Sequence, residues 1–465
     1  MKKVFILLSL TASLGIASVF LFTRNDIRFS LFLQKFIKSP EEKVPLTLIS
    51  IDKDFVQKFS SPFASNSIIE DAVIASRELG STGHIKDFGY NKSFSKIFPQ
   101  TLKTQINAQR ETSLFGLKIV LPNQNNLNED SKTPENYNPL TPQQKVHLIY
   151  KKGRQYYADS VFASLLENFD NSNLQIDNFS IKFADKSIPR IYDGSVLLKY
   201  PQTSYKNWNT VSVLELYNYK KSEEVFYSYL KLMSKRGLFG ELNSENPLDI
   251  YETAESLKNK PGLKDYIYLK EKFYKLINSY LSGKQEKILI EETGDEEYRE
   301  IICNSFKTCK TLFNNLEAER KNLISKINGS FCVFAVTADT LSDFISSPVD
   351  SKLPESLTAY VLAHMIYNDD FVDFLSPLLS FSLAVLLCLI LAILSLKIKK
   401  AFPVIILAAV FVIIFPAAVI FTYIKFKIYT GFFIITPSLL TYLLLTAIYA
   451  LIKNKQEWLS LSSKI

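Results

Sequence analysis

The sequence predicts a mixed α/β domain with a helical insertion, held outside the cytoplasm by an α-helical transmembrane region of one N-terminal and three C-terminal spans. Three observations predict it. The last hundred residues carry three long hydrophobic stretches, 374–396, 401–423 and 428–452. A fourth, 4–23, follows Lys2 and Lys3. Between the two ends, short runs of apolar and β-branched residues alternate with amphipathic helical patterns, as in α/β domains.

Each C-terminal stretch is about 23 residues, which at about 1.5 Å per helical residue gives about 34 Å, enough for a hydrocarbon core of about 30 Å. The N-terminal run has two readings. Gly15-Ile16-Ala17 resembles the small-residue cleavage site of a signal peptide, whereas continuation through Val19-Phe20-Leu21-Phe22 reaches spanning length and favours a signal anchor. Basic residues set the orientation. Lys2, Lys3, the loop Lys397-Ile398-Lys399-Lys400 and the tail with Lys453, Lys455 and Lys464 fall on one side once the spans alternate, and that side is the cytoplasm. Residues 1–3 and 453–465 are then cytoplasmic and 24–373 extracytoplasmic, in a multi-pass protein of the inner membrane with a large periplasmic domain. Lys425 and Lys427 oppose the rule from an outer loop.

The formal charge of +8 is unevenly placed. Residues 1–24 carry +3 and 374–465 carry +7, which leaves the middle section about −2. The basicity belongs to membrane boundaries, and nucleic acid is excluded as a partner. Among the four cysteines, Cys388 sits inside a predicted span and Cys332 in an apolar run. Cys303 and Cys309, with five residues between them, read either as a small-loop disulfide or as two unpaired thiols on a helix. His84, His147 and His364 lack ligand spacing, so no metal site is assigned.

Along the outer section, Val44 to Asp52 reads as a strand buried on both faces, as in a parallel sheet. A helix follows from a capping box at Ser67-Ile68-Ile69-Glu70 and ends at Gly80, before a second strand around His84 to Tyr90. A third run, Phe115 to Leu121, gives way to a polar, Asn-rich tether that reaches Pro142. Helical sequence is expected from Pro142 to Phe169, and a hairpin turning at Asp193-Gly194 between Ile188 and Tyr200. An all-helical insertion is expected over 222–326, then a strand at Phe331 to Thr337 and a last helix with Pro354 in its first position.

From Gly329 through Phe331-Cys332-Val333-Phe334-Ala335-Val336-Thr337 to Asp339 and on to Ser347-Pro348, the chain resembles the final strand and turn of the CHASE2 extracytoplasmic sensor domain of bacterial receptors. Ile188 to Tyr200, Trp208 and Val211-Ser212-Val213-Leu214 are similar to its upstream segments, and Ala363-His364 falls where that family commonly carries a His-Ala pair. Ala335 stands in place of the family's glycine, and the turn after the first strand is reduced to Ser60-Ser61-Pro62-Phe63. The resemblance covers roughly 44–452 apart from the insertion. It implies an α/β extracytoplasmic sensor domain with one preceding and three following spans, and a homodimer. Family members continue after the third of these spans into a cyclase or kinase, for which 454–465 leaves no room.

Three carboxylates follow predicted strands: Asp52, Asp87 and Asp343. Ligand pockets of open α/β sheets form at strand carboxyl ends, so the three could converge on a cation or polar ligand. Alternatively, each caps a helix or orders its own turn. No nucleophile–base pair or phosphate loop occurs, so neither an enzymatic role nor a cofactor is assigned. The spans lack interior Asp, Glu or Arg, which argues against a channel or carrier.

The function expected is a membrane-bound sensor or regulatory subunit that passes a signal from an extracytoplasmic ligand or protein to a separate cyclase or kinase partner. The alternatives are an envelope structural protein using the sensor fold as a scaffold, and a truncated receptor of the adenylate cyclase or kinase type.

Overall fold

The computed structural model describes residues 2–20, 29–30, 33–34, 44–59, 62–85, 111–114, 117–120, 145–152, 155–169, 174–176, 180–191, 194–239, 245–258, 263–342, 344–375, 377–397, 401–429 and 432–462. Its centre is a parallel sheet of four strands: β1 (Leu46–Ile51), β2 (Gly83–Ile85), β3 (Thr210–Ser212) and β4 (Phe331–Val336), in the order β3-β1-β4-β2. Every residue of β1 and β4 is buried, as their unbroken apolar runs require of strands covered on both faces.

Successive side chains feed opposite layers. Ile49 and Ile51 of β1, with Cys332, Phe334 and Val336 of β4, join one core. Leu46 and Leu48, with Phe331, Val333 and Ala335, join the other. The first core is closed by α2 (Pro62–Glu78) and by the helices that follow β3. The second is closed by α3 (Ser160–Asn168) and α9 (Thr358–Asn368).

The helical run begins earlier than expected, directly at β3. Ser212 and Glu215 form a reciprocal capping box at the start of α4 (Val213–Lys235). Then come α5 (Pro247–Leu257), α6 (Leu263–Tyr280), α7 (Lys284–Glu292) and α8 (Glu296–Ile327). Phe226, Tyr274, Phe306 and Phe313 from these helices share a core with the sheet, so the segment is one whole layer of the α/β domain and not an appendage.

Several expectations are corrected. The region from Pro142 to Phe169 is not one helix: Lys145–Val146, Ile149–Lys152 and Gln155–Ala158 are strands, and only Ser160–Asn168 is helical. The reason is pairing: Ile149–Lys152 pairs with Gln155–Ala158, which also meets Leu117–Val120, while Lys145–Val146 pairs with Val196–Leu197. The hairpin expected at Asp193-Gly194 is not a strand pair. Lys186–Pro189 pairs back to Ser180–Phe183, and Val196–Leu197 goes to Lys145–Val146, leaving Gly194 (φ +82°) in a turn closed by Arg190 Nε on its carbonyl. α2 starts at Pro62, which leaves Ser67 inside it; Gly80 does adopt the left-handed φ, +94°. Pro354 precedes a 3-10 turn, Glu355–Leu357, that leads into α9. Cys303 and Cys309 are both free thiols on α8, one exposed and one buried. Six positions along a helix leave the two side chains about 120° apart in direction and about 9 Å apart along the axis, so no bridge closes.

Four apolar helices form the remaining body: α1 (Lys2–Phe20), α10 (Pro377–Lys397), α11 (Ala401–Phe426) and α12 (Phe432–Ser462). α1 packs on α10 and α12, and α12 also packs on α11. Among the described residues one window, Ala409–Phe426, is long and apolar enough to cross a membrane by length and composition. Ile6–Ala17, Leu379–Leu394 and Ile434–Tyr449 are shorter apolar segments. The one-plus-three layout expected from the sequence is therefore not supported by the length and composition of these helices.

Candidate functional site

Of the three carboxylates proposed to converge, Asp52 is described and serves as a cap. It follows β1 and accepts the Phe55 amide at 2.9 Å at the start of the short helix Lys53–Lys58. Asp87 and Asp343 lie outside the described residues. Among the described residues no three His, Cys, Asp or Glu side chains gather as a metal site would need.

Among the described residues, the buried ion pairs that the fold builds lie at two seams. The first lies where α2 meets the helical layer. Lys220 of α4 donates from Nζ to Glu78 Oε2 at the end of α2 (2.8 Å) and to Glu223 Oε2 one turn on (2.7 Å). Lys270 of α6 reaches Glu223 Oε1 at 2.8 Å and Glu255 of α5 at 3.1 Å. Three phenols complete the shell: Tyr219 donates to Glu78 Oε1, Tyr266 to Glu78 Oε2 and Tyr274 to Glu223 Oε1.

Glu78, Lys220, Glu223 and Lys270 are all buried. Burial by itself would raise the Glu223 carboxyl, but Lys220 and Lys270 outweigh it and hold the group below the ordinary carboxylate range. Burial likewise works against the Lys220 ammonium, and Glu223 and Glu78 outweigh it to keep the group well above an ordinary lysine. Both oxygens of each buried carboxylate are engaged, so the cluster offers no open position for a substrate. It is a fully satisfied network that locks α2 to α4, α5 and α6 within the layer on one face of the sheet.

The second seam joins the α/β domain to the helix bundle. Lys199 lies in the buried segment after Val196–Leu197, and its Nζ sits 2.5 Å from Asp370, just beyond α9. Lys427, between α11 and α12, bonds the same carboxylate. Burial acts to raise the Asp370 carboxyl, but the two lysines more than offset it and lower it. Burial lowers Lys199 against the pull of Asp370.

Beside this contact, Asp373–Phe374 runs parallel to Ile428–Tyr429, with the amides of Asp373 and Leu375 donating to the carbonyls of Lys427 and Tyr429, both at 2.9 Å. Gln34 bridges further, donating to the Leu198 carbonyl (3.0 Å) and accepting the Tyr200 amide, and the Tyr423 hydroxyl donates to the Ser30 carbonyl at 2.8 Å.

No family model, curated protein or solved structure matches the chain.

Sequence reasoning missed both seams, although each had a signal. Lys220 and Glu223 occupy the stripe that Leu216, Phe226, Leu230 and Met233 bury. Lys199 is the one charge in Val196-Leu197-Leu198-Lys199-Tyr200, and Lys427 falls between two long apolar stretches.

Proposed function

We propose that the chain is a sensor of the CHASE2 type: an extracytoplasmic α/β domain held in the inner membrane by α1, α10, α11 and α12, which passes a ligand- or partner-induced bias to a cyclase or kinase. The observation that carries the reading is the outer surface of the bundle. Leu386, Ile413, Phe421, Leu444 and Leu451 are each more than half exposed. Only 11 % of the Ala409–Phe426 window is buried. Each such side chain left in water forgoes about 1.5–3 kcal/mol, so this surface belongs in hydrocarbon.

Inside the bundle the buried residues include Ser9, Ser13, Ala384, Cys388 and Ser438. Small side chains at helix contacts permit the close approach that drives association in lipid. α1 takes part in this packing, which supports a retained anchor over a cleaved peptide. The outer placement of Lys427, which the charge rule disfavours, is reconciled by its pairing with Asp370. A ligand biases such a device only through unequal affinity for two states of the outer domain.

The exposed native thiol Cys303 makes the topology testable, since Cys309, Cys332 and Cys388 are buried. An impermeant maleimide applied to intact spheroplasts should label the protein, and Cys303→Ser should abolish the labelling. A cysteine introduced by Asn454→Cys in the Cys303→Ser background should react only after lysis. Protection of Cys303 until the cells are lysed would overturn the reading.

A further inference from the structure

Three buried features stand outside what has been assigned: the Glu78–Lys220–Glu223–Lys270 network, the unpartnered hydroxyls of Ser380 and Thr436 in the bundle, and the Asp370 contact. The first is closed and fully satisfied. The second has no ligand chemistry besides two hydroxyls. The third joins two modules through one atom group.

We infer that Asp370 is a coupling anion, a single buried carboxylate shared by Lys199 of the outer domain and Lys427 of the α11–α12 loop, so that movement of the outer domain reaches the α11–α12 pair directly as well as through the covalent link to α10. The inference rests on the membrane-sensor reading and specifies its route of transmission.

The geometry carries it in four ways. First, Asp370 is 2 % exposed and directly follows α9, the helix that covers one face of the parallel sheet, so it moves with the sensor core. Second, both flanking backbones are set in an unfavourable conformation: Asp369 has φ +50° and Lys427 φ +57°. Non-glycine residues seldom occupy that region, and where they do the surroundings hold them there, often at switches.

Third, the backbone link beside the carboxylate spans two residue pairs, Asp373 with Ile428 and Phe374 with Tyr429, too short a ladder to persist alone. Fourth, the charges are unequal. Two ammonium groups share one carboxylate, while burial lowers the neighbouring His364 imidazole against the pull of Asp370. Lys199 is 1 % exposed at its side chain and has nowhere else to go, whereas Lys427 is 34 % exposed and can exchange Asp370 for water. The clamp therefore opens on the bundle side.

The test uses the full chain in lipid nanodiscs and reads hydrogen exchange at the amides of Asp373 and Leu375, which donate across the seam. Lys427→Gln keeps the Lys199–Asp370 pair and should speed exchange at both amides by at least tenfold, with the amides of β1 and β4 unchanged. Asp370→Glu, which preserves the charge, should retain more than half of the protection. Exchange at Asp373 and Leu375 within twofold of the parent in Lys427→Gln would overturn the inference. Maleimide labelling of Cys303 is the independent readout: if Cys303 labels in spheroplasts and the amides do not respond, the clamp fails and the sensor topology survives.

Discussion

Glu223 holds two lysines from different helices, so its removal is the most informative single change in the α/β domain. Glu223→Gln leaves Lys220 and Lys270 short of a buried counter-charge and should cost about 3–5 kcal/mol, the usual consequence of breaking a buried ion pair from one side. Lys221→Ala removes a pair whose side chains are 50 % and 58 % exposed, and should cost about 0–1 kcal/mol. Urea titration of the two variants in the same detergent compares them directly.

The pH dependence follows from the same residues. A carboxyl lowered on folding, as in Glu223, adds stability above its unfolded value of about 4.3, and that stability is lost as pH falls through the folded value. A lysine raised on folding, as in Lys220, adds stability that is fully present below about 10.4 and is lost as pH rises through its folded value. The network's contribution should be level between about pH 5 and pH 10 and fall on the acid side. In Glu223→Gln the acid limb should flatten, which melting temperatures collected across pH would reveal.

The helices of the α/β domain start and stop for reasons written locally. Ser212 caps α4 while Glu215 reaches back to the Ser212 amide, so Ser212→Ala should cost about 1 kcal/mol, seen as a lower urea midpoint at unchanged slope. Gly80 turns the chain out of α2 at φ +94°, and a methyl group there would collide with the Asn328 side chain. Gly80→Ala should therefore destabilise by more than the roughly 1 kcal/mol of the backbone conformation alone, measurable as a fall in Tm. β1 and β4 were legible because their apolar runs are unbroken, whereas the strands at 145–158 were not. Tyr and Ile suit either helix or strand there, and the outcome depended on strand partners that come from 117–120 and 196–197.

The α/β domain and the helix bundle meet through the Asp370 contact, the pairing of Asp373–Phe374 with Ile428–Tyr429, and a buried cluster that joins Ile191, Leu197 and Val372 to Val419, Tyr423 and Tyr429. Under the membrane reading, the outward face of α11 meets lipid. Ile413→Lys would place an ammonium near the middle of that helix at a cost of about 2.5–3.5 kcal/mol, and should lower the membrane-integrated fraction seen after carbonate extraction. An equally exposed site on the outer domain, Tyr268→Lys, should leave that fraction unchanged.

Hydrophobic order along the chain was enough to determine a parallel α/β core, a helical segment between its strands and apolar helices at both ends, because each of these follows from the periodicity and length of local runs. It did not determine where the charges go. Glu78 meets Lys220 and Asp370 meets Lys199 and Lys427 across long sequence separations, and a charge is buried at tolerable cost only when a partner is brought to it. That meeting is decided by packing: the sheet sets where α2 and α4 lie, and the bundle sets where Lys427 arrives.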